Sequence, residues 1–175
     1  MPELPRLRLS FDFEGCSSSV QLISLSAPRM LVFVGPPAYS QTLFPGEYDL
    51  QASSMMGTSC ATTRASLVDG VPIDGPFRIT NDNVLHLTQT KEFGLITGLA
   101  PKAAGAMVGI APAEGAPSWL RGFATSIDEA GRFQARVAPG SYRLRAIEDY
   151  TPVEPGVSVT VKSGATVQVI LDPLY

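Results

Sequence analysis

The chain has 175 residues, of which 45% are apolar and only 17% charged, and its net charge is −3. The ten arginines and three lysines are dispersed, so nucleic acid, which needs a clustered cationic face, is not expected as a partner. No apolar run approaches the ~20 residues that cross a bilayer, so no transmembrane segment is expected.

In the first half, apolar and polar residues alternate with the period of two that is typical of half-buried strands. No stretch of ten or more residues shows a helical period, so helix content should be low. The extended segment 2–13 carries the first alternation, and we expect it to pair with a sheet edge of another protomer. The predicted strands of this half are 7–13, 20–26, 30–34, 48–52, 61–68, 76–80 and 84–88.

Two cysteines, Cys16 and Cys60, both flank turn-like stretches of Ser, Gly and Thr. Neither belongs to a C-x-x-C motif, so a metal site is not expected. Two alternatives stay open: a disulfide that ties two loops of the first domain together, or two free thiols.

His86 is the only histidine. It alternates with Leu85 and Leu87, so the leucines should face the core and His86 the solvent. Any Ser-His or Cys-His catalytic site would have to use this residue, and the chain has no G-x-S-x-G elbow. The sequence therefore predicts a protein that is not an enzyme, with no catalytic, cofactor-binding or metal-binding residues.

In the second half apolar and polar residues alternate more regularly, and recognisable turn sequences separate the alternating runs. It predicts seven strands in about 85 residues, the number and spacing of an immunoglobulin-like sandwich. These strands are 93–99, 106–111, 121–127, 133–137, 142–146, 157–161 and 167–171.

An internal repeat relates the two halves. Residues 44–52 and 138–146 share the pattern x-P-G-x-Y-x-L-x-A. Pro-Gly predicts a tight turn with glycine at positive φ, after which Tyr, Leu and Ala share one face of a strand. The sequence thus predicts two tandem β-sandwich domains, 1–90 (with an extended N-terminal segment) and 91–175.

Residues 131–146 read G-R-F-x-x-x-V-x-P-G-x-Y-x-L-x-A, and this run resembles the carboxypeptidase regulatory-like domain, a transthyretin-like (prealbumin-like) β-sandwich. The likeness covers the second domain almost completely, and the first through 45–52 and more loosely 65–87. It implies an exported, multidomain bacterial context. It does not imply peptidase activity, because the domain is accessory to enzymes that carry catalysis elsewhere.

The sequence therefore predicts an all-β protein of two tandem immunoglobulin-like or transthyretin-like sandwiches. We expect a non-catalytic extracellular structural or interaction module, part of a larger cell-surface protein or a subunit of a surface assembly, whose signal peptide is not in this sequence. Its expected partners are proteins, through self-association or neighbouring subunits. The alternative is carbohydrate binding, with Trp119 and Tyr150, beside Gly- and Pro-rich turns, stacking on sugar rings.

Overall fold

A computed structural model describes residues 6–16, 20–26, 29–34, 39–53, 60–68, 70–117, 120–148, 151–152 and 156–171. In these residues the regular secondary structure is almost entirely β-strand, and the one helical element is a 3-10 turn, Pro101–Ala103. The predicted fold class, two tandem β-sandwiches, is confirmed. Within the same residues no helix is long and apolar enough to cross a membrane.

The described residues form two compact units. Unit 1 takes the residues up to Ser53, those from 60 to 91, and Pro117 with Leu120. Unit 2 takes residues 92–116 and those from Arg121 onward.

The described residues of the first half form eight strands. They are β1 (Leu7–Glu14), β2 (Val20–Ser24), β3 (Leu31–Val34), β4 (Ser40–Leu43), β5 (Gly46–Ser53), β6 (Ala61–Leu67), β7 (Phe77–Ile79) and β8 (Asn83–Thr90). One sheet has the order β4-β1-β8-β6. In the other, β2 lies between β3 and β5, and β7 also pairs with β5.

Nine further strands lie in the part of the second half that the structure describes. They are β9 (Gly94–Leu99), β10 (Met107–Pro112), β11 (Leu120–Arg121), β12 (Phe123–Ser126), β13 (Arg132–Val137), β14 (Gly140–Glu148), β15 (Thr151–Pro152), β16 (Val157–Val161) and β17 (Thr166–Ile170). They build a three-stranded sheet, β13-β9-β17, and a second sheet, β12-β10-β14-β15, in which β16 also pairs with β14. Leu120, at the start of β11, belongs to unit 1 and packs against its core.

The two units share one strand topology. In unit 1, β1 pairs antiparallel with β4 and parallel with β8; in unit 2, β9 pairs antiparallel with β13 and parallel with β17. In the other sheets β2 lies between β3 and β5, as β10 lies between β12 and β14. Strands β5 and β14 then pair with β7 and β16. Strand β6 is an addition in unit 1, on the outer side of β8.

Each unit has its own hydrophobic core, and the repeated leucine lies inside it. Leu50 and Leu144 are both fully buried. The inward positions of the alternating strands supply the rest, as the period of two predicts. Leu9, Leu22 and Leu85 belong to the first core, and Ile96, Ile110 and Val137 to the second.

The repeated tyrosines close the same corner in both units. The Tyr48 hydroxyl donates to the Phe44 carbonyl at 2.7 Å, and the Tyr142 hydroxyl donates to the Ala138 carbonyl at 2.8 Å. Both tyrosines are buried, and a buried hydroxyl needs a partner. The bond back to the residue four positions earlier resembles the tyrosine corner of immunoglobulin-like sandwiches.

The prediction of positive φ at the repeated glycines is wrong. Gly46 and Gly140 are not among the positive-φ glycines; they are the first residues of β5 and β14. The tyrosine two positions on lies over the same strand face, 3.6 Å from where a Cβ on Gly140 would stand. At that distance a Cβ would be in ordinary van der Waals contact with the ring, so neither the ring nor a left-handed conformation requires glycine at position 140.

Burial raises the pKa of Tyr142 to about 12 from 10.0. Above pH 10 the unfolded chain therefore loses a proton that the folded chain keeps, so the stability present below pH 10 is lost as the pH rises towards 12. We expect the free energy of unfolding of unit 2 to fall across this window in urea titrations. Tyr142→Phe should reduce this fall in the free energy of unfolding with rising pH. An equal fall in the variant and the unsubstituted protein would contradict this assignment.

Three sequence predictions need correction. Residues 7–10 are not a free edge for another protomer, because β1 lies there between β4 and β8 of its own sheet, and residues 2–5 lie outside the described chain. Strand β4 was not predicted because Leu43 is its only apolar residue. The predicted strand 121–127 is divided, since Gly122 separates β11 from β12.

Candidate functional site

Strand β3 presents an apolar sheet edge to solvent. It reads Leu-Val-Phe-Val, a β-branched and aromatic run with high strand propensity. Val34 is buried and Val32 packs against the core, so the alternation directs Leu31 and Phe33 to the outer face. These two side chains are 54% and 60% exposed. Leu31 and Phe33, with their backbone groups, are together termed the β3 edge.

The antiparallel pairing with β2 determines which backbone N–H and C=O groups of β3 point away from the sheet. The Ser24 N–H donates to the Met30 carbonyl at 2.9 Å. In the same register Leu22 lies opposite Val32. Hydrogen-bonded pairs alternate in an antiparallel ladder, so residues 30, 32 and 34 direct their N–H and C=O groups to β2. Leu31 and Phe33 direct theirs away from β2, where no strand of the described chain pairs with them.

The other edge strands differ in what they expose. Strand β13 turns Arg132, Gln134 and Arg136 outward. Strand β7 exposes Arg78, and strand β16 exposes polar side chains. Charged residues on an edge discourage pairing with a further strand. Among the edges whose side chains are described, β3 is the one with two outward residues that are both large and apolar.

Strand β12 is the topological equivalent of β3 in unit 2 and gives an internal comparison. Its pairing with β10 places Ala124 opposite Gly109 and Ser126 opposite Met107. The outward positions of β12 are therefore a methyl group and a hydroxyl, where β3 has phenyl and isobutyl groups. The difference shows that exposed apolar side chains are not a requirement of this fold position.

Unit 2 has a shallow groove of about 870 Å³. It runs along β9, β12, β13 and β17, and its apolar part includes Leu99 and Ile170, which pair across β9 and β17. The only aromatic residue in its lining, Phe133, is buried. The groove thus has no exposed aromatic surface on which a sugar ring could stack.

The residues predicted to stack on sugars, Trp119 and Tyr150, lie outside the described chain. The structure therefore does not place either side chain. Carbohydrate binding remains a sequence prediction.

His86 faces solvent and Leu85 and Leu87 are buried, as the alternation predicts. Its Nδ1 atom lies 3.0 Å from Asp12 Oδ2, because the parallel pairing of β1 and β8 puts the two residues in register. Ser66 lies opposite His86 on β6, but no hydrogen bond joins these two residues in the described chain. The pair lies exposed on an open sheet face, where an ion pair contributes little to stability.

The structure pairs Cys16 with Cys60 as a disulfide, with 6.2 Å between their Cα atoms. That separation lies in the range a disulfide spans. Cys16 follows the end of β1 and Cys60 precedes β6, and these strands flank β8 on its two sides. The described residues contain no cluster of three or more side chains suited to a metal ion.

No protein-family model matches the chain, and no curated protein matches its sequence. Among solved structures, the minor pilin of Streptococcus agalactiae is 13% identical with a TM-score of 0.43, over 95% of this chain and 94% of the pilin. The major pilin subunit of Bacillus cereus is 8% identical with a TM-score of 0.36, over 96% and 99%. A C-terminal fragment of a pilus adhesin from Lactobacillus rhamnosus GG is 15% identical with a TM-score of 0.29, over 98% of each. At these values none of them assigns the chain to a family, and the carboxypeptidase regulatory-like assignment stays a prediction.

Proposed function

We propose that the protein is a non-catalytic structural and interaction module that binds another protein by adding a strand to the β3 edge. The observation that carries the proposal is the combination at Leu31 and Phe33 of outward backbone groups and exposed apolar side chains. Strand addition uses both: the backbone supplies hydrogen bonds and the alternate side chains supply specificity. A soluble monomer would gain from a charge at this edge, and none is present within the strand.

The proposal includes a location outside the reducing cytoplasm, on or beyond the cell surface. The pairing of Cys16 with Cys60 supports it, because stable disulfides persist in oxidising compartments. The low content of charged residues leaves a surface in which uncharged side chains can meet a neighbour.

The test is photo-cross-linking in the cells that produce the protein. Phe33 is replaced by p-benzoylphenylalanine, and the same replacement is made at Ala124, the equivalent outward position on β12. We expect a covalent protein adduct from position 33 and at least ~10-fold less from position 124, since only the first lies on the β3 edge. Absence of an adduct at position 33, or equal yields at the two positions, would contradict the proposal.

A further inference from the structure

We infer that the protein bound at the β3 edge is a second copy of this chain, paired antiparallel through β3 about a twofold axis at Val32. This inference rests on the proposed function and adds the identity of the partner. Register and side-chain complementarity carry it, and the charge pattern permits it.

The free backbone groups fix the register. In an antiparallel pair, two residues whose groups face each other exchange both hydrogen bonds. Leu31 and Phe33 are the residues with outward groups. If Leu31 of one copy lies opposite Phe33 of the other, symmetry pairs Phe33 with Leu31 as well. Four backbone hydrogen bonds then form and use every outward group of the strand.

This register also keeps both sheet faces in phase. A slip of one residue would turn buried positions to solvent. With Leu31 opposite Phe33, Val32 lies opposite Val32 of the second copy, so the inward residues of both copies stay on one side. Slipping by two residues in one direction would place Leu31 opposite Leu31 and Phe33 opposite Arg29, and in the other direction would pair Phe33 with Phe33 only. The register centred on Val32 is the one that pairs both exposed apolar side chains with each other.

Aromatic and aliphatic side chains directly opposite on one face are a favourable cross-strand pair. The dimer makes this pair twice, once for each Leu31, and covers side chains that are 54% and 60% exposed in the single chain. The neighbouring strand β2 extends the apolar face, because Ile23 lies beside Leu31 in the ladder.

The charge pattern of β3 permits a copy of the same strand as the occupant. In a twofold pairing two copies of one strand lie side by side, so a charged residue can lie opposite a like charge on the second copy. Like charges directly opposite each other are destabilising. Residues 30–34 carry no charge, so no like charges would lie opposite each other within this stretch. Strand β13 shows the contrast: the same pairing about Gln134 would place Arg132 opposite Arg136.

A four-residue edge is small for an interface, so the dimer should be reversible. We expect monomers at about 1 µM and a substantial dimer fraction at about 0.5 mM by sedimentation equilibrium. Phe33→Lys, a surface change that keeps the strand, should leave the protein monomeric at the higher concentration. Ala124→Lys, the matched change on β12, should leave the dimer fraction unaltered.

Cysteine cross-linking tests the register itself. Leu31→Cys and Phe33→Cys are prepared separately, with the native cysteine pair retained, and are oxidised alone and as a mixture. The mixture should give several-fold more covalent dimer than either variant alone, because positions 31 and 33 of different copies are opposite. Mass spectrometry of non-reduced peptides identifies the 31–33 junction.

Two results would overturn the inference: a monomer at about 0.5 mM, or no gain in cross-linking from mixing. If the purified chain is monomeric while Phe33 still cross-links a different protein in the producing cells, the inference falls and the proposed function stands. If no adduct forms in cells either, both fall.

Discussion

Leu144→Ala should destabilise unit 2 by about 2–5 kcal/mol, the range for truncating a fully buried leucine. The side chain belongs to the core of unit 2 and to no part of the core of unit 1. If the two units are independent domains, as the repeat predicts, calorimetry should show one transition moved to lower temperature and the other unchanged.

The repeat supplies the matched variant. Leu50 occupies the same place in unit 1 and is equally buried, so Leu50→Ala should move the other transition. Comparing the two variants assigns each transition to its unit. A single transition that both substitutions lower equally would show that the chain unfolds as one cooperative body.

The double substitution Cys16→Ser with Cys60→Ser should lower the free energy of unfolding of unit 1 by about 4 kcal/mol. The pair closes a loop with a sequence separation of 44, and the chain-entropy estimate for such a loop gives this value. Denaturant titration of the oxidised protein, the reduced protein and the double variant measures the difference. The reduced protein and the double variant should agree closely.

Alkylation before and after reduction provides the control. Protein taken from the producing cells should accept two alkyl groups only after reduction. Labelling of both thiols without a reductant would contradict the disulfide and would remove the support that it gives to a location outside the cytoplasm.

Much of the fold is visible in the sequence because each strand carries its own signal. The alternation that turns Leu85 and Leu87 inward and His86 outward is local, and so is the repeated corner with its tyrosine. The repeat further indicates that one topology occurs twice. What the alternation could not reveal is strand β4, whose position beside β1 depends on pairing, with Leu43 as its single apolar anchor.

The candidate site likewise depends on a strand pairing that the local sequence does not reveal. The run from Met30 to Val34 is recognisable as a strand, but a continuous apolar run is equally typical of a strand buried on both faces. Strand β3 is an edge because, among the described strands, it pairs with β2 only. This position leaves Leu31 and Phe33 exposed. In the same way, Asp12 and His86 are 74 residues apart, and their contact follows from the parallel pairing of β1 with β8.

That parallel pairing has a mechanical consequence. Strands β1 and β8 run in the same direction, as do β9 and β17, so each unit's first and last strands lie side by side with the entering and departing chain at opposite ends of the ladder. A pulling force applied along the polypeptide would therefore slide one strand past the other and load the hydrogen bonds of the ladder together. The hydrogen bonds would break one at a time only if the chain entered and left at the same end of the ladder. Each unit is thus connected in the manner suited to carrying tension.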